Sequence, residues 1–188
     1  MSNFRPENRI DSIVIHCSAT PNGREHTAAD VDFWHGPDRE KRGKKPFRRN
    51  SDARIGAGRW HGKGQHARDL AHIGYHFVVR VSGVTEVGRR LTETGAHARG
   101  WNSRSIGICV IGMDQFTPAQ WETLKVLIES LKRDRGAKGL PPITKVIGHR
   151  QVATYKTCPG FDVQAWLDGG MEPLEGHLLE VVTEEEDA

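Results

Sequence analysis

Apolar residues along this chain fall into short β-branched runs and one long helical stripe. Residues 10–17, IDSIVIHC, form the first such run and predict a buried strand. Side chains alternate across a strand, so Val14 and His16 share one face, and Ile13, Ile15 and Cys17 share the other. A polar loop, SATPNGREH, follows. Thr27 then caps a short helix, AADVDFWH, that Gly36-Pro37 ends. Residues 74–90 (GYHFVVRVSGVTEVGRR) read as a hairpin turning at Ser82-Gly83, with Tyr75, Phe77, Val79 and Val81 on one face. Residues 104–112 (RSIGICVIG) predict a central strand. The clearest helix lies in FTPAQWETLKVLIESLKRDRG. Thr117 is its N-cap, Pro118 takes the first helical position and Gln120 completes a capping box. Trp121, Leu124, Leu127, Ile128 and Leu131 make its apolar stripe, a core-packing face, and Gly136 is the expected stop. A short strand in ITKVIGH (143–149) and a helix in VQAWLDG capped by Asp162 complete the pattern. Strands and helices alternate irregularly around one hairpin, without internal repeats. The fold class is therefore α/β of the mixed α+β kind, a central mixed sheet flanked by helices.

Length and charge refine this picture. The 188 residues suit one domain with a core large enough to need no staples. The net charge of +3 hides an asymmetry. Residues 172–188 hold seven of the 24 acidic residues and no Lys or Arg. Residues 1–171 thus hold all 27 basic residues against 17 acidic ones, a net of +10. Residues 36–72 alone carry 11 basic against four acidic residues. With little apolar periodicity and several glycines, they read as a basic loop or insertion. The expected organisation is one domain over 1–171 with that insertion, then a loosely attached acidic tail over 172–188. A basic field favours an anionic partner such as nucleic acid, an anionic cell envelope or an acidic protein; a merely solvated loop is the plainer reading.

Three widely spaced cysteines, Cys17, Cys109 and Cys158, make no disulfide framework and point to synthesis in a reducing compartment. The N-terminus has no apolar run long enough for a signal peptide, and no stretch approaches the roughly 20 apolar residues of a membrane span. Synthesis in the cytoplasm is expected.

Most of the ten histidines lie in polar or basic surroundings and need only a solvated role. His16 is different, because a polar ring within an apolar strand needs a partner. His149 follows ITKVIG at a predicted strand end. Together with Cys158, in GHRQVATYKTCPGFD, they supply two imidazoles and one thiolate, a donor set used by catalytic zinc with the fourth position open. The eight residues between His149 and Cys158 match no zinc-finger spacing. On the residues alone, Cys158 also reads as a nucleophile with a histidine base, or as a small core residue. If His16 faces a site, Cys17 faces away from it.

Four blocks in order carry a resemblance: IVIHCSAT (13–20), GYHFVV (74–79), GAHARGWNSRSIGICVIG (95–112) and GHRQVATYKTCPGFD (148–162). Over about residues 10–168 the chain resembles the zinc-dependent N-acetylmuramoyl-L-alanine amidases of the phage-lysozyme type, which share their fold with peptidoglycan recognition proteins. The resemblance implies that His16, His149 and Cys158 bind zinc, that Tyr75 and Lys156 are catalytic, and that His97 and Asn102 line the substrate groove. It implies hydrolysis of the amide between N-acetylmuramic acid and L-alanine of peptidoglycan. Lys156 would stabilise the oxyanion and Tyr75 would orient the attacking water or the carbonyl. No glutamate in these blocks offers a general base.

The leading expectation is a monomeric endolysin, made in the host cytoplasm and reaching the wall once the membrane is permeabilised, with segment 36–72 touching an anionic envelope. Alternatives on the same fold are a non-catalytic peptidoglycan-binding or RNA-polymerase-regulating module and a cytosolic muropeptide-recycling amidase. Retention of Cys158 argues against the binding-only reading, and an aspartate would usually stand there in the recycling branch.

Overall fold

The computed structural model describes residues 4–49 and 70–180. Among them, five strands form one sheet in the order β3-β2-β4-β1-β5. These are β1 (Ser12–Cys17), β2 (Phe77–Val79), β3 (Thr85–Val87), β4 (Ser105–Val110) and β5 (Lys145–Gly148). β1 runs parallel to both neighbours, β4 and β5, and β2 runs parallel to β4; only the β2–β3 hairpin is antiparallel. The mixed sheet expected from the pattern is therefore present, with 105–110 at its centre.

Helices cover both faces. α1 (Ala28–His35) and α2 (Pro37–Lys41) precede the hairpin, and α3 (Pro118–Ala137), α4 (His149–Val152) and α5 (Val163–Asp168) follow β4. Ile13, Ile15, Phe77, Val79, Ile106 and Ile108 point to the α3 and α5 side, where Trp121, Leu124, Ile128, Leu131 and Trp166 meet them. Val78, Cys109 and Ile111 point to the other side, against Ala28 and Val31 of α1. Strand alternation alone sorts these two cores. Burying each large aliphatic side chain contributes roughly 1.5–3 kcal/mol.

The helix starts follow the cap chemistry. Thr117 accepts from the Gln120 N–H while the Gln120 side chain accepts from the Thr117 N–H. Thr27 and Asp30 make the same reciprocal pair at the start of α1. Asp162 accepts from the Gln164 and Ala165 N–H groups to open α5. The stop of α3 differs from expectation. Gly136 lies inside the helix, and the left-handed residue is Gly139, at φ 64°.

One other expectation is corrected, and two segments gain detail. Tyr75 and Val81 do not share the face of Phe77 and Val79; they pack with Val78 in the α1-side core. β2 begins only at Phe77, so its alternation does not reach back to Tyr75. The acidic tail is attached over its first half. Leu178 bridges to Phe116, the Phe116 N–H donates to His177 O at 2.9 Å, and the Trp121 indole N–H donates to the same carbonyl. Leu174 adds apolar contact with the α3-side core. Residues 181–188 lie outside the described residues.

The basic segment is likewise more than a loop. Pro37 starts α2, and Arg49 is buried. The Arg49 guanidinium makes a forked pair with Glu93 at 3.0 and 2.6 Å and donates to Leu70 O at 2.7 Å. Both side chains of the pair are essentially inaccessible, at 0% and 1% exposure. Arg89 ties together the carbonyls of Ile73, Thr94 and Arg48. Arg5 does the same for Leu91, Asn102 and Ser105. Buried guanidinium groups thus brace the irregular stretch 88–104 through its carbonyls and the Glu93 carboxylate. Residues 50–69 of the expected insertion lie outside the described residues.

Removing one partner of a buried ion pair leaves the other charge uncompensated. Glu93→Gln should therefore cost about 3–5 kcal/mol in urea-induced unfolding. A loss below about 1 kcal/mol, the range of surface pairs, would show that Arg49 is held some other way.

Candidate metal centre and active-site cleft

The carboxyl ends of β1 and β5 lie side by side, and open α/β sheets bind ligands at such ends. β1 delivers His16 and Cys17 there. β5 ends at Gly148, and His149 begins α4. The following loop returns with Cys158. It is pinned by the Arg150 N–H donating to Cys158 O at 2.8 Å, and it carries a cis Cys158–Pro159 peptide. The Arg150 guanidinium also pairs with Asp162 at 3.1 Å.

This convergence gathers His16, His149 and Cys158. One potential ligand atom from each lies within 4.8 Å of the others. His16 Nδ1 is 3.8 Å from Cys158 Sγ, and the His16 and His149 ring centroids are 4.5 Å apart. The donor set suits a borderline metal that accepts nitrogen and sulfur. Burial, and then the repulsion a charged ring would meet from protonated His97, His149 or His35, holds His16 well below its ordinary pKa. Burial and then the Lys156 charge lower that of His149. Both imidazoles are therefore neutral near pH 7, the state in which a ring nitrogen can donate a lone pair. The Cys17 N–H donates to Cys158 Sγ at 3.3 Å, a contact that favours thiolate character once a cation is near. Without one, the Cys17 thiol and then burial push the Cys158 thiol up.

Cys17 does not simply face away from the site. Its side chain joins the Ile13 and Ile15 core, as alternation demands, yet it also lines the cleft beside Cys158. As the last residue of β1, it has no further strand backbone to screen one face from the other. All three thiols are free.

The cleft itself has a volume of about 620 Å³ and is walled by Tyr75, His149, Lys156, Cys158, Met113 and Asp114, among others. Tyr75 is half-buried, its ring 5.0 Å from that of His16 and 5.2 Å from that of His35. Burial, then the nearby Cys109, Cys158 and Cys17 sulfurs, raise its pKa well above the ordinary value, so its hydroxyl stays a donor. α1 aims it. Asp32 Oδ1 accepts from the His72 and Ile73 N–H groups, and His35 Nδ1 accepts from the Gly74 N–H at 3.0 Å. Lys156 sits on the exposed rim, its N–H donating to Ala153 O.

His97 and Asn102, expected along the groove, are placed differently. His97 Nδ1 lies 3.0 Å from His16 Nε2, on the side of that ring away from Cys158. Asn102 Oδ1 accepts from the His97 and Ala98 N–H groups, so it braces the loop. Conversely, Asp114 was not among the residues expected at the site. Its carboxylate, bonded to the Asn22 amide at 2.8 Å, brings an acid to the cleft wall. Its only signal in the sequence is its place just beyond β4.

Comparisons with known proteins identify related chains. The family described as N-acetylmuramoyl-L-alanine amidase matches residues 6–161. The endolysin of Enterobacteria phage K11 is 36% identical over 175 residues, covering 89% of this chain and 91% of its own. The endolysin of Escherichia phage T7 is 30% identical over 174 residues, covering 88% and 90%. Among solved structures, the N-acetylmuramoyl-L-alanine amidase LysC from Clostridium intestinale superposes with a TM-score of 0.57 at 24% identity, covering 89% of this chain and 93% of its own, and so shares the fold.

The support beneath Tyr75 is sensitive to acid. Burial, with the charges of Arg39, Arg89 and His72, lowers the His35 pKa to about 3. The unfolded chain takes up this proton near pH 6.5 and the folded protein only near 3. Stability therefore falls as pH drops through that window. Urea titrations of metal-free protein at pH 7 and 4.5 should show the loss, and His35→Asn should make it shallower by one proton's share. An unchanged slope in the variant would contradict the assignment.

Proposed function

The chain belongs to the N-acetylmuramoyl-L-alanine amidase family, and from that membership we propose that His16, His149 and Cys158 hold a zinc ion at the head of the cleft. The protein is an endolysin-type amidase that hydrolyses the amide joining N-acetylmuramic acid to L-alanine in peptidoglycan. The convergence of two neutral imidazoles and a thiol from β1, α4 and the 153–162 loop is the observation that carries the zinc reading. Bound there, zinc would lower the pKa of a water and polarise the scissile carbonyl.

The remaining work falls to the chain's own groups. Attack on the amide develops negative charge on the carbonyl oxygen. Lys156, on the rim of the same cleft, places a compact positive charge toward it. Tyr75 keeps its proton and offers a hydrogen bond to the carbonyl or the attacking water. The cleft walls of Met113 and Tyr75 position the peptide and exclude bulk water around the reacting bond. Asp114 offers an acceptor for substrate N–H groups along that wall.

Alignment with phage endolysins over nearly the whole chain favours the lytic reading over a recycling amidase or a binding-only module. Lys41, Arg42, Lys44, Lys45 and Arg48 are exposed, which supports the expected contact of the basic segment with an anionic envelope. We take residues 1–171 as one catalytic domain acting as a monomer.

Metal content and peptidoglycan clearing, measured together, check these roles. Cys158→Ala should lose zinc and activity in parallel, and chelation should abolish clearing by the wild type until zinc is restored. Tyr75→Phe and Lys156→Ala should keep zinc yet lower kcat by about 10²–10³. Full clearing by metal-free protein would sink the metal assignment; zinc loss in the Tyr75 or Lys156 variants would reassign those residues to metal binding.

A further inference from the structure

Resting on the reading of His16 as a metal ligand, we propose that His97 is a positioning residue that selects the His16 tautomer presenting an unprotonated Nδ1 to the metal site.

The chain of hydrogen bonds has one consistent direction. It ends at Trp101 O, which can only accept, and Ser105 Oγ donates to it at 2.8 Å. With its proton committed there, Ser105 Oγ is left to accept from His97 Nε2, 3.5 Å away. A neutral imidazole carries one proton. If that proton is on Nε2, His97 Nδ1 is an acceptor, and the His16 Nε2–H donates to it at 3.0 Å. The lone pair of His16 is then on Nδ1, the atom 3.8 Å from Cys158 Sγ. Reversing the chain would put a proton on His16 Nδ1, facing the site, and block coordination.

The fold also provides space for this ring. A Cβ on Gly107 would come within 2.6 Å of the His97 ring, and one on Gly95 within 2.5 Å. Gly107 lies in β4 opposite Val14 of β1, so the ring occupies a notch in the sheet next to the His16 strand. The backbone is fixed at the same time, because Asn102 Oδ1 accepts the His97 N–H at 2.8 Å. A ring needed only to fill space would not require a nitrogen aligned with His16 Nε2. Outer partners of this kind orient metal-bound imidazoles and are worth roughly 10–100-fold in metal affinity.

Two readouts on the full chain test this. Zinc affinity is measured by competition with a chromophoric chelator. The His16 tautomer is read from the nitrogen-15 spectrum of metal-free protein at neutral pH. The wild type should show His16 protonated on Nε2. His97→Ala should weaken zinc binding about 10–100-fold and mix the two His16 tautomers. His97→Gln, whose side-chain oxygen accepts from Nε2–H, should recover most of both. Wild-type zinc affinity and an unchanged tautomer in His97→Ala would overturn the proposal. So would a Gln variant as impaired as Ala, which would leave His97 a packing role. Failure of the wild type to bind zinc would instead count against the metal site, while the tautomer in metal-free protein would still decide the role of His97.

Discussion

β1 is hydrogen-bonded on both sides by parallel strands, and the geometry of the cleft depends on that double pairing. On one side Ile15 stands opposite Gly148; on the other His16 stands opposite Cys109. The register fixes how far each strand runs before the chain leaves the sheet. A one-residue slip of β1 would exchange His16 for Ile15 and turn an isoleucine toward the site. The apolar face of β1, Ile13 and Ile15 against the α3-side core, forbids that slip. Hydrophobic burial on one side of the strand thus holds a polar ring in register on the other.

Keeping that ring buried requires compensation. A buried imidazole loses water on both nitrogens, and each must find a partner. His97 satisfies Nε2, while Nδ1 faces Cys158 Sγ at 3.8 Å, where His149 also converges. Around this centre, the stretch 88–104 has little regular structure beyond single bridges and turns; Arg5 and Arg89 hold the carbonyls of Leu91, Asn102 and Thr94, and Arg49 pairs with the Glu93 carboxylate. His97 and Asn102 ride on this braced loop. The site is therefore rigid on its β1 side and at the His97 loop, while Lys156 and Tyr155 stand on an exposed rim where a polymeric substrate can approach.

Local signals made much of this legible. Apolar runs located β1 and β4, and cap residues located the starts of α1, α3 and α5, because strand burial and helix capping are decided within a few residues. His16, His149 and Cys158 stood out because two are tied to strand ends and the third is a scarce residue type. Long-range features were not legible. Nothing near Arg49 announces a carboxylate 44 residues away. Nothing near His97 distinguishes a groove residue from one that backs His16, since the difference is which side of a ring it occupies. Alternation placed Cys17 in the core with Ile13 and Ile15, but did not show that the last residue of a strand also borders the cleft. The attachment of residues 172–180 was not legible, because the contacts of Leu174 and Leu178 lie on distant elements.

The central claim is that two imidazoles and one thiolate, with Cys17 left out, surround the metal. Zinc K-edge X-ray absorption on the loaded protein counts sulfur scatterers directly. The account predicts one sulfur at about 2.3 Å and two imidazole nitrogens at about 2.0 Å. Two sulfurs would bring Cys17 into the ligand set, and a shell without sulfur would remove Cys158 from it; either result would contradict the account.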